Sequence, residues 1–497
     1  MHTFKHGCAI VLRSLRSLTE RINGLCANRI YFGRSLARVP AGAVVFFPCR
    51  PTLLACGLAG IVAFKQKQKG AQPVELENMA RAVATVARHC LAACLGRPGD
   101  PADGYLGGDA LSRLLSAARS LKHRENFCAV YADVEKQAAI EDISRRLTEI
   151  IGEDSRLLAE KMGHLDARIV DVLTRRLEEL KDITWSLTTE IMQNITQIND
   201  LLGADGRRDG LPPDRLMVYK NINTVLNSID RLEVRGRDSA GISLMFILTD
   251  SAYRGFSTAV AREYLLAELQ ERSARALLVN GGITVHELKG AGDRPRVTVT
   301  LTYKVAAEIG RLGDNIRFLR RQIKKDRIFH LLAACPHENH TVSSHTRWAS
   351  VGAITEANCH PVDNHVLSGS STDGGIIHVC LNGDIDNYLA LKAEHLNGGK
   401  QLHKDITTDT KIIPLQVEKY IQQGCVPEEA FRRAVNDFEG SHAISMHTDL
   451  APGQFFLAQK GSGQTVFIGL SEDLYMPTSE VYGFVEETAD FLKMDGA

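Results

Sequence analysis

The chain contains no run of 18 apolar residues, so no segment reads as a membrane-spanning helix. It also carries no net charge, because 59 Lys+Arg balance 59 Asp+Glu over 497 residues. That balance removes the electrostatic reason to expect nucleic acid or an anionic membrane as partner. The 11 cysteines lack the dense, regular spacing of a disulfide framework, which makes a reducing, cytoplasmic setting the expectation. Cys90 and Cys94 lie four apart in HCLAAC, with Cys128 beyond. That spacing suits a metal site less well than an apolar helix in which free cysteine packs as a small hydrophobe. Proline is missing between Pro101 and Pro212, which leaves room for long uninterrupted helices.

What is present divides the chain. Hydrophobic content of 44% and charged content of 24% are ordinary for a globular protein, and the length suits two or three domains. Residues 1–55 are basic, with Lys5, Arg13, Arg16, Arg21, Arg29, Arg34, Arg38 and Arg50 against Glu20 alone. They read as a leader or a non-native N-terminal extension. From about 138 to 202 apolar residues recur at three- and four-residue steps, through Ile140, Ile143, Leu147, Leu158, Leu177, Leu180, Ile191 and Ile198. This predicts long amphipathic helices, paired as a hairpin or a coiled coil, in a helical region over 64–225. After about 225 short β-rich runs appear: ISLMFIL (242–248), VTVTLTY (297–303), GIIHVCL (375–381), FFLAQ (455–459) and TVFIGL (465–470). Helical patterns such as VPEEAFRRAVNDF lie between them, which predicts an α+β domain.

Five short segments carry the chemistry. They are Cys56-Gly57-Leu58-Ala59-Gly60, Arg235-Gly236-Arg237-Asp238-Ser239-Ala240-Gly241, His345-Thr346-Arg347-Trp348-Ala349-Ser350-Val351-Gly352, Leu381-Asn382-Gly383-Asp384-Ile385-Asp386-Asn387 and Thr407-Thr408-Asp409-Thr410. In this order the set resembles the class II glutamine amidotransferases, and within them the glucosamine-6-phosphate synthase (isomerising glutamine–fructose-6-phosphate aminotransferase) subfamily. The resemblance covers 56–63 and about 226–497. It implies a four-layer αββα sandwich of the N-terminal-nucleophile hydrolases, interrupted by the helical insertion, and hydrolysis of L-glutamine to glutamate and ammonia without metal or cofactor. It further implies Cys56 as nucleophile, with Asn382 and Gly383 as oxyanion donors. Arg347 would grip the substrate α-carboxylate, Asp409 would meet the α-ammonium, and Trp348 would gate the ammonia path. Arg235, Asp238 and His345 would support them.

Physical chemistry gives these roles a rationale. A cysteine at a chain start brings its own base, since an α-amine titrates near ~8. A planar guanidinium suits a carboxylate bidentately, as lysine does not. Each residue has a plainer reading: Arg347 as a structural arginine, Asn382-Gly383 as a hairpin turn, Asp409 as a helix cap. The family's pattern is also broken. Where it has histidine this chain has Val351 and Leu381, so a supporting hydrogen bond is expected to be missing. Cys56 needs a cleavage or a downstream start to gain its amine. The family's sugar-isomerase module is expected from a fuller gene or another chain, and the insertion is expected to serve docking or dimerisation. Two other classes stand beside the enzyme: a decayed glutaminase-fold interaction module, and an exported lipoprotein acylated at Cys56 through Leu53-Leu54-Ala55-Cys56.

Overall fold

The computed structural model describes residues 8–13, 56–63, 73–203, 210–274, 279–288, 295–306, 311–367, 374–461, 463–471 and 473–495. The strands in chain order are β1 (Cys8–Arg13), β2 (Gly57–Ala63), β3 (Ser239–Thr249), β4 (Gly282–Leu288), β5 (Arg296–Ala306), β6 (Asn339–Arg347), β7 (Val362–Asp363), β8 (Ile377–Gly383), β9 (His442–Thr448), β10 (Gln454–Lys460), β11 (Phe467–Leu470), β12 (Leu474–Thr478) and β13 (Phe491–Lys493). They form an eight-stranded sheet, β13-β11-β12-β2-β6-β3-β5-β4, and a five-stranded sheet, β1-β10-β9-β8-β7. Among the described residues the neighbouring strands pair antiparallel. Helices and two antiparallel sheets together make the α+β class expected from the sequence. Each β-rich run read from the sequence falls on a strand: β3, β5, β8, β10 and β11.

The strands at the centre of the larger sheet are buried on both faces, which is why ISLMFIL reads as a continuous apolar run rather than an alternating one. One face of β3 and β5 (Ile242, Leu244, Phe246, Leu301) joins the main apolar core together with helices. The other face of this sheet meets the smaller sheet through an apolar contact of Met245 and Ile247 with Ile376 and through polar contacts from β3 and β6. Ser243 Oγ lies 2.6 Å from His378 Nδ1, and Ser343 Oγ lies 3.6 Å from Cys380 Sγ. The outward side of the smaller sheet packs Val379, Leu381, Ile444 and Phe456 against the helices Ile412–Gln422 and Pro427–Asp437.

The helical segment is not a separate body. Its helices, including the pair Val134–Lys161 and Ala167–Trp185 joined by a short turn, share one apolar core with the eight-stranded sheet. The apolar stripe is interrupted at that turn, where Met162 is exposed, and resumes with the half-buried Leu165 and Ile169 and the buried Leu173. Beyond Trp185 the helix widens to π-helical geometry over Ser186–Gln193 and returns to α over Asn194–Leu202. The helix Pro213–Leu232 spans the boundary expected near 225. It is buried on every side from Leu216 to Ile229, polar residues included. Those polar residues are paired across elements. Lys220 Nζ lies 3.7 Å from a Glu487 carboxylate and 5.1 Å from the Phe127 ring centroid. Arg231 pairs with Glu486, and Asn223 and Asn227 bond Asn194 and Arg320. The basic N-terminal stretch, expected to lie outside the fold, contributes the edge strand β1, in register with β10 from Cys8↔Gln459 to Arg13↔Gln454. The rest of 1–55, including the lipobox reading, lies outside the described residues up to Cys56. Among the described residues no helix is long and apolar enough to cross a membrane.

A buried ion pair that loses one partner leaves an uncompensated charge, at a cost of about 3–5 kcal/mol. Lys220→Met is therefore expected to lower unfolding stability by that amount in urea titration. Adding Glu487→Gln should restore a large part of it.

Candidate active site at the start of the second strand

Sheet register brings the five sequence segments to one end of the two sheets. In the β2–β6 pair Gly57 stands opposite Thr346, and in the β3–β6 pair Ser239 stands opposite Arg347. The start of β2, the start of β3 and the end of β6 are therefore neighbours. The end of β8 reaches them from the other sheet: Asn382 Nδ2 donates to the carbonyl oxygen of Cys56 at 3.0 Å. Asp409 follows through Ile385, whose N–H donates to Asp409 Oδ2 at 2.9 Å.

Cys56 is 8% exposed, and its Sγ accepts from the Trp348 backbone N–H at 3.2 Å. Burial pushes the thiol up to about 11, although the Trp348 N–H and the nearby Arg347 and Arg235 pull in the opposite direction. Asp384 is close enough to add to the rise. The close approach of Trp348 depends on Gly236, where an added Cβ would lie 2.8 Å from Trp348 N and 2.7 Å from the Arg347 carbonyl carbon. This is a physical reason for glycine in the Arg235–Gly241 segment.

Asp238 holds the same segment from outside: its N–H donates to Arg347 O at 3.1 Å and its carboxylate accepts from Ala349 N–H at 2.8 Å. Arg235 forms an ion pair with Glu480, a residue of the C-terminal region that the sequence reading did not single out. Arg347 is buried, and its guanidinium donates to the carbonyls of Val351 and Ala353, bracing the segment that leaves β6. The Trp348 side chain is 39% exposed.

Asn382 and Gly383 close β8 and are not a hairpin turn; β9 begins only at His442. Gly383 has φ of +91°, and a Cβ there would meet Ser441 O at 2.1 Å. The Asn382 amide is oriented by His345, whose Nε2 lies 2.8 Å from Asn382 Oδ1. Burial pushes His345 down to about 3, so the ring is neutral and its Nε2–H donates. Leu381 lies in the apolar core of the smaller sheet. The His345 ring lies 4.4 Å from that of His360, tilted to it by 47°, and His360 Nε2 lies 2.8 Å from Thr410 Oγ1. Asn358 fixes the approach to Asp409, accepting from the Thr407 and Thr408 N–H groups at 2.7 and 2.9 Å. Asp409 is 3% exposed, and burial raises its carboxyl while the Ile385 N–H lowers it. The residue that caps the short turn Asp409–Lys411 is Thr408 rather than Asp409.

The chain is similar to glutamine–fructose-6-phosphate aminotransferases (isomerizing). It is 32% identical to that of Geobacillus kaustophilus over 163 residues, 32% of this chain and 25% of the relative. The Methanothermobacter thermautotrophicus protein is 33% identical over 153 residues, 31% of this chain and 24% of the relative. The Sulfurisphaera tokodaii protein is 32% identical over 156 residues, with 31% and 24% covered. The matched part thus spans about a quarter of the length of these curated relatives. No family model matches the chain.

A thiol near 11 is thiolate to roughly one part in ten thousand at pH 7. In the intact chain, iodoacetamide should modify Cys56 slowly near neutral pH, with a rate that climbs about tenfold per pH unit. In protein that begins at Cys56, the α-amine should bring an inflection near ~8 into that profile. Mass-spectrometric rates of Cys56 alkylation against pH measure both.

Proposed function

We propose that the chain is the glutaminase part of an amidotransferase, releasing ammonia from L-glutamine at Cys56. One observation carries this reading: Cys56, Trp348 N–H, Asn382 and the Asp409 segment, far apart in sequence, meet at one end of the paired sheets. The similarity to aminotransferases that use glutamine supports it. In this reading the two sheets with their outer helices are the αββα sandwich of N-terminal-nucleophile hydrolases.

Once residues 1–55 are removed, the amine of Cys56 accepts the proton of Sγ, and the sulfur attacks the side-chain carbonyl of glutamine. The carbonyl oxygen gains the electron pair and is met by Asn382 Nδ2 and the Gly383 N–H. The ammonium group of Cys56 returns its proton to the departing nitrogen, ammonia leaves, and a thioester to the glutamyl group remains. Water, deprotonated by the same amine, attacks that thioester, and glutamate leaves as the sulfur recovers its proton. Arg347 pairs with the α-carboxylate of the substrate and Asp409 with its α-ammonium. Trp348 lies on the side from which ammonia departs. Transfer to fructose 6-phosphate belongs to a sugar-isomerase module, in a fuller gene or in another chain, and the surface of the helical insertion is available to dock it or a second copy.

A second reading, a non-catalytic interaction module, rests on the buried thiol near 11 and on the peptide bond that joins Ala55 to Cys56 in the translated chain. N-terminal sequencing of purified protein separates the two. A mature terminus at Cys56 with glutamate release supports the enzyme; an uncleaved, inactive protein supports the module.

Two substitutions test the mechanism by coupled assay of glutamate. Cys56→Ala should reduce release to the uncatalysed background. Asn382→Ala should lower kcat by about 10²–10³, equivalent to about 2.7–4 kcal/mol of barrier, with a smaller effect on KM. Retained activity in Cys56→Ala would overturn the assignment.

A further inference from the structure

Asp384 is a carboxylate at the site that the chemistry above does not use. It follows Gly383 directly, and its backbone N–H donates to Ser441 O at 3.3 Å. Its Oδ1 accepts from Ser350 Oγ at 2.5 Å, which ties it to the segment just beyond Arg347 and Trp348. The resemblance gives no reason for an acid here, since the related motif, HNGIIEN, has isoleucine after the glycine. The next residue, Ile385, holds Asp409 through its N–H, and Ser350, which holds Asp384, lies two residues beyond Trp348, whose N–H meets Cys56 Sγ, so the three groups share one region.

The two carboxylates differ in what surrounds them. Asp409 is turned inward, with Ile385 N–H on Oδ2 at 2.9 Å and the Thr408 and Thr410 hydroxyls 3.3 and 3.4 Å from Oδ1. Asp384 is half-exposed. The nearby cations already have acceptors: Arg235 pairs with Glu480, and Arg347 donates to Val351 O and Ala353 O. An α-ammonium has three N–H donors, and the inward-facing Asp409 is poorly placed to meet them alone.

We propose that Asp384 is a specificity-determining residue, whose carboxylate joins Asp409 in binding the substrate α-ammonium and so selects amides with a free cationic amine at the α-carbon. This rests on the glutaminase reading. Binding then also neutralises a charge that opposes ionisation of Cys56, so the thiol becomes easier to ionise when substrate is present than when the site is empty.

The test uses protein that begins at residue 56, the mature form in the glutaminase reading, with Cys56→Ala so that it cannot turn over, and calorimetric titration with two ligands. L-glutamine carries the α-amine; glutaramate has the same carboxylate and amide without it. Asp384→Asn on this background should weaken glutamine binding by about tenfold or more and leave glutaramate binding unchanged, which also reports an intact fold. Ser350→Ala should weaken glutamine binding less than Asp384→Asn does. Equal weakening of both ligands by Asp384→Asn, or no change with glutamine, would overturn the role of Asp384 while leaving the glutaminase reading in place. If the Cys56→Ala protein binds neither ligand, the glutaminase reading fails, and this role with it.

Discussion

Removing the Cys56 thiol from water is the constraint on which the rest of the site turns. A thiol near 11 attacks an amide only if a base takes its proton at the moment of reaction. Among the described residues, the hydrogen bonds of Sγ run to the Trp348 backbone and not to an imidazole or carboxylate. His345, the nearest candidate by sequence motif, is neutral and turned toward Asn382. An amine on the same residue meets the need without another side chain. In this reading the protein's remaining task is to hold donors around the reacting carbonyl, and the Asn382–His345 pair, the Gly383 backbone and the Gly236 approach are suited to that task.

The helical segment belongs to this arrangement structurally. The helix Pro213–Leu232 ends beside the Arg235–Gly241 segment, so whatever fixes that helix also fixes the ring of contacts around Trp348. It is fixed from two directions. The sheet side contributes apolar packing through Leu226, Ile229 and Leu232. The other sides contribute ionic and amide contacts to Glu486, Glu487, Asn194 and Arg320. A helix whose polar residues are this deeply buried can sit in few positions, because a shift by one residue leaves charges unpaired. Lys122 extends the same cluster to Glu190 at 3.0 Å, inside the π-helical stretch, where an extra residue per turn changes which side chains face inward.

How much of this was legible depended on where the information lay. Strands were legible because burial on both faces leaves an apolar run, as in β3, or a β-branched one, as in β5. The paired helices were legible from their spacing. The extent of the insertion was not: Lys220, Asn221, Asn223, Thr224 and Asn227 look like a solvated face, and only contacts to residues far away in sequence reveal them as interior. The same limit hid Glu480, which lies in a C-terminal run whose composition singles out no site residue and meets Arg235 only after folding. Asn382-Gly383 has the composition of a hairpin turn, yet here the glycine is needed because the backbone of Ser441 comes so close. Local preference was satisfied by a different tertiary cause.

Leu381 and Val351 sit beside the site without contributing side-chain polar groups to it. At a strand end, alternate residues face opposite sides. Leu381 points into the apolar layer under the helices, and Asn382 points back toward Cys56. A histidine at 381 would sit among Val379, Ile444 and Phe456, where an imidazole without a partner is costly. The amide of Asn382 instead takes its orientation from β6, across the gap between the sheets, through a buried neutral ring. Val351 contributes its carbonyl, which accepts from Arg347 and needs no particular side chain. Neither position supplies a side-chain hydrogen bond to the site: Leu381 packs in the apolar layer and Val351 offers its backbone carbonyl. The pairing of the two sheets, more than the literal motif, then sets the aim of the Asn382 amide.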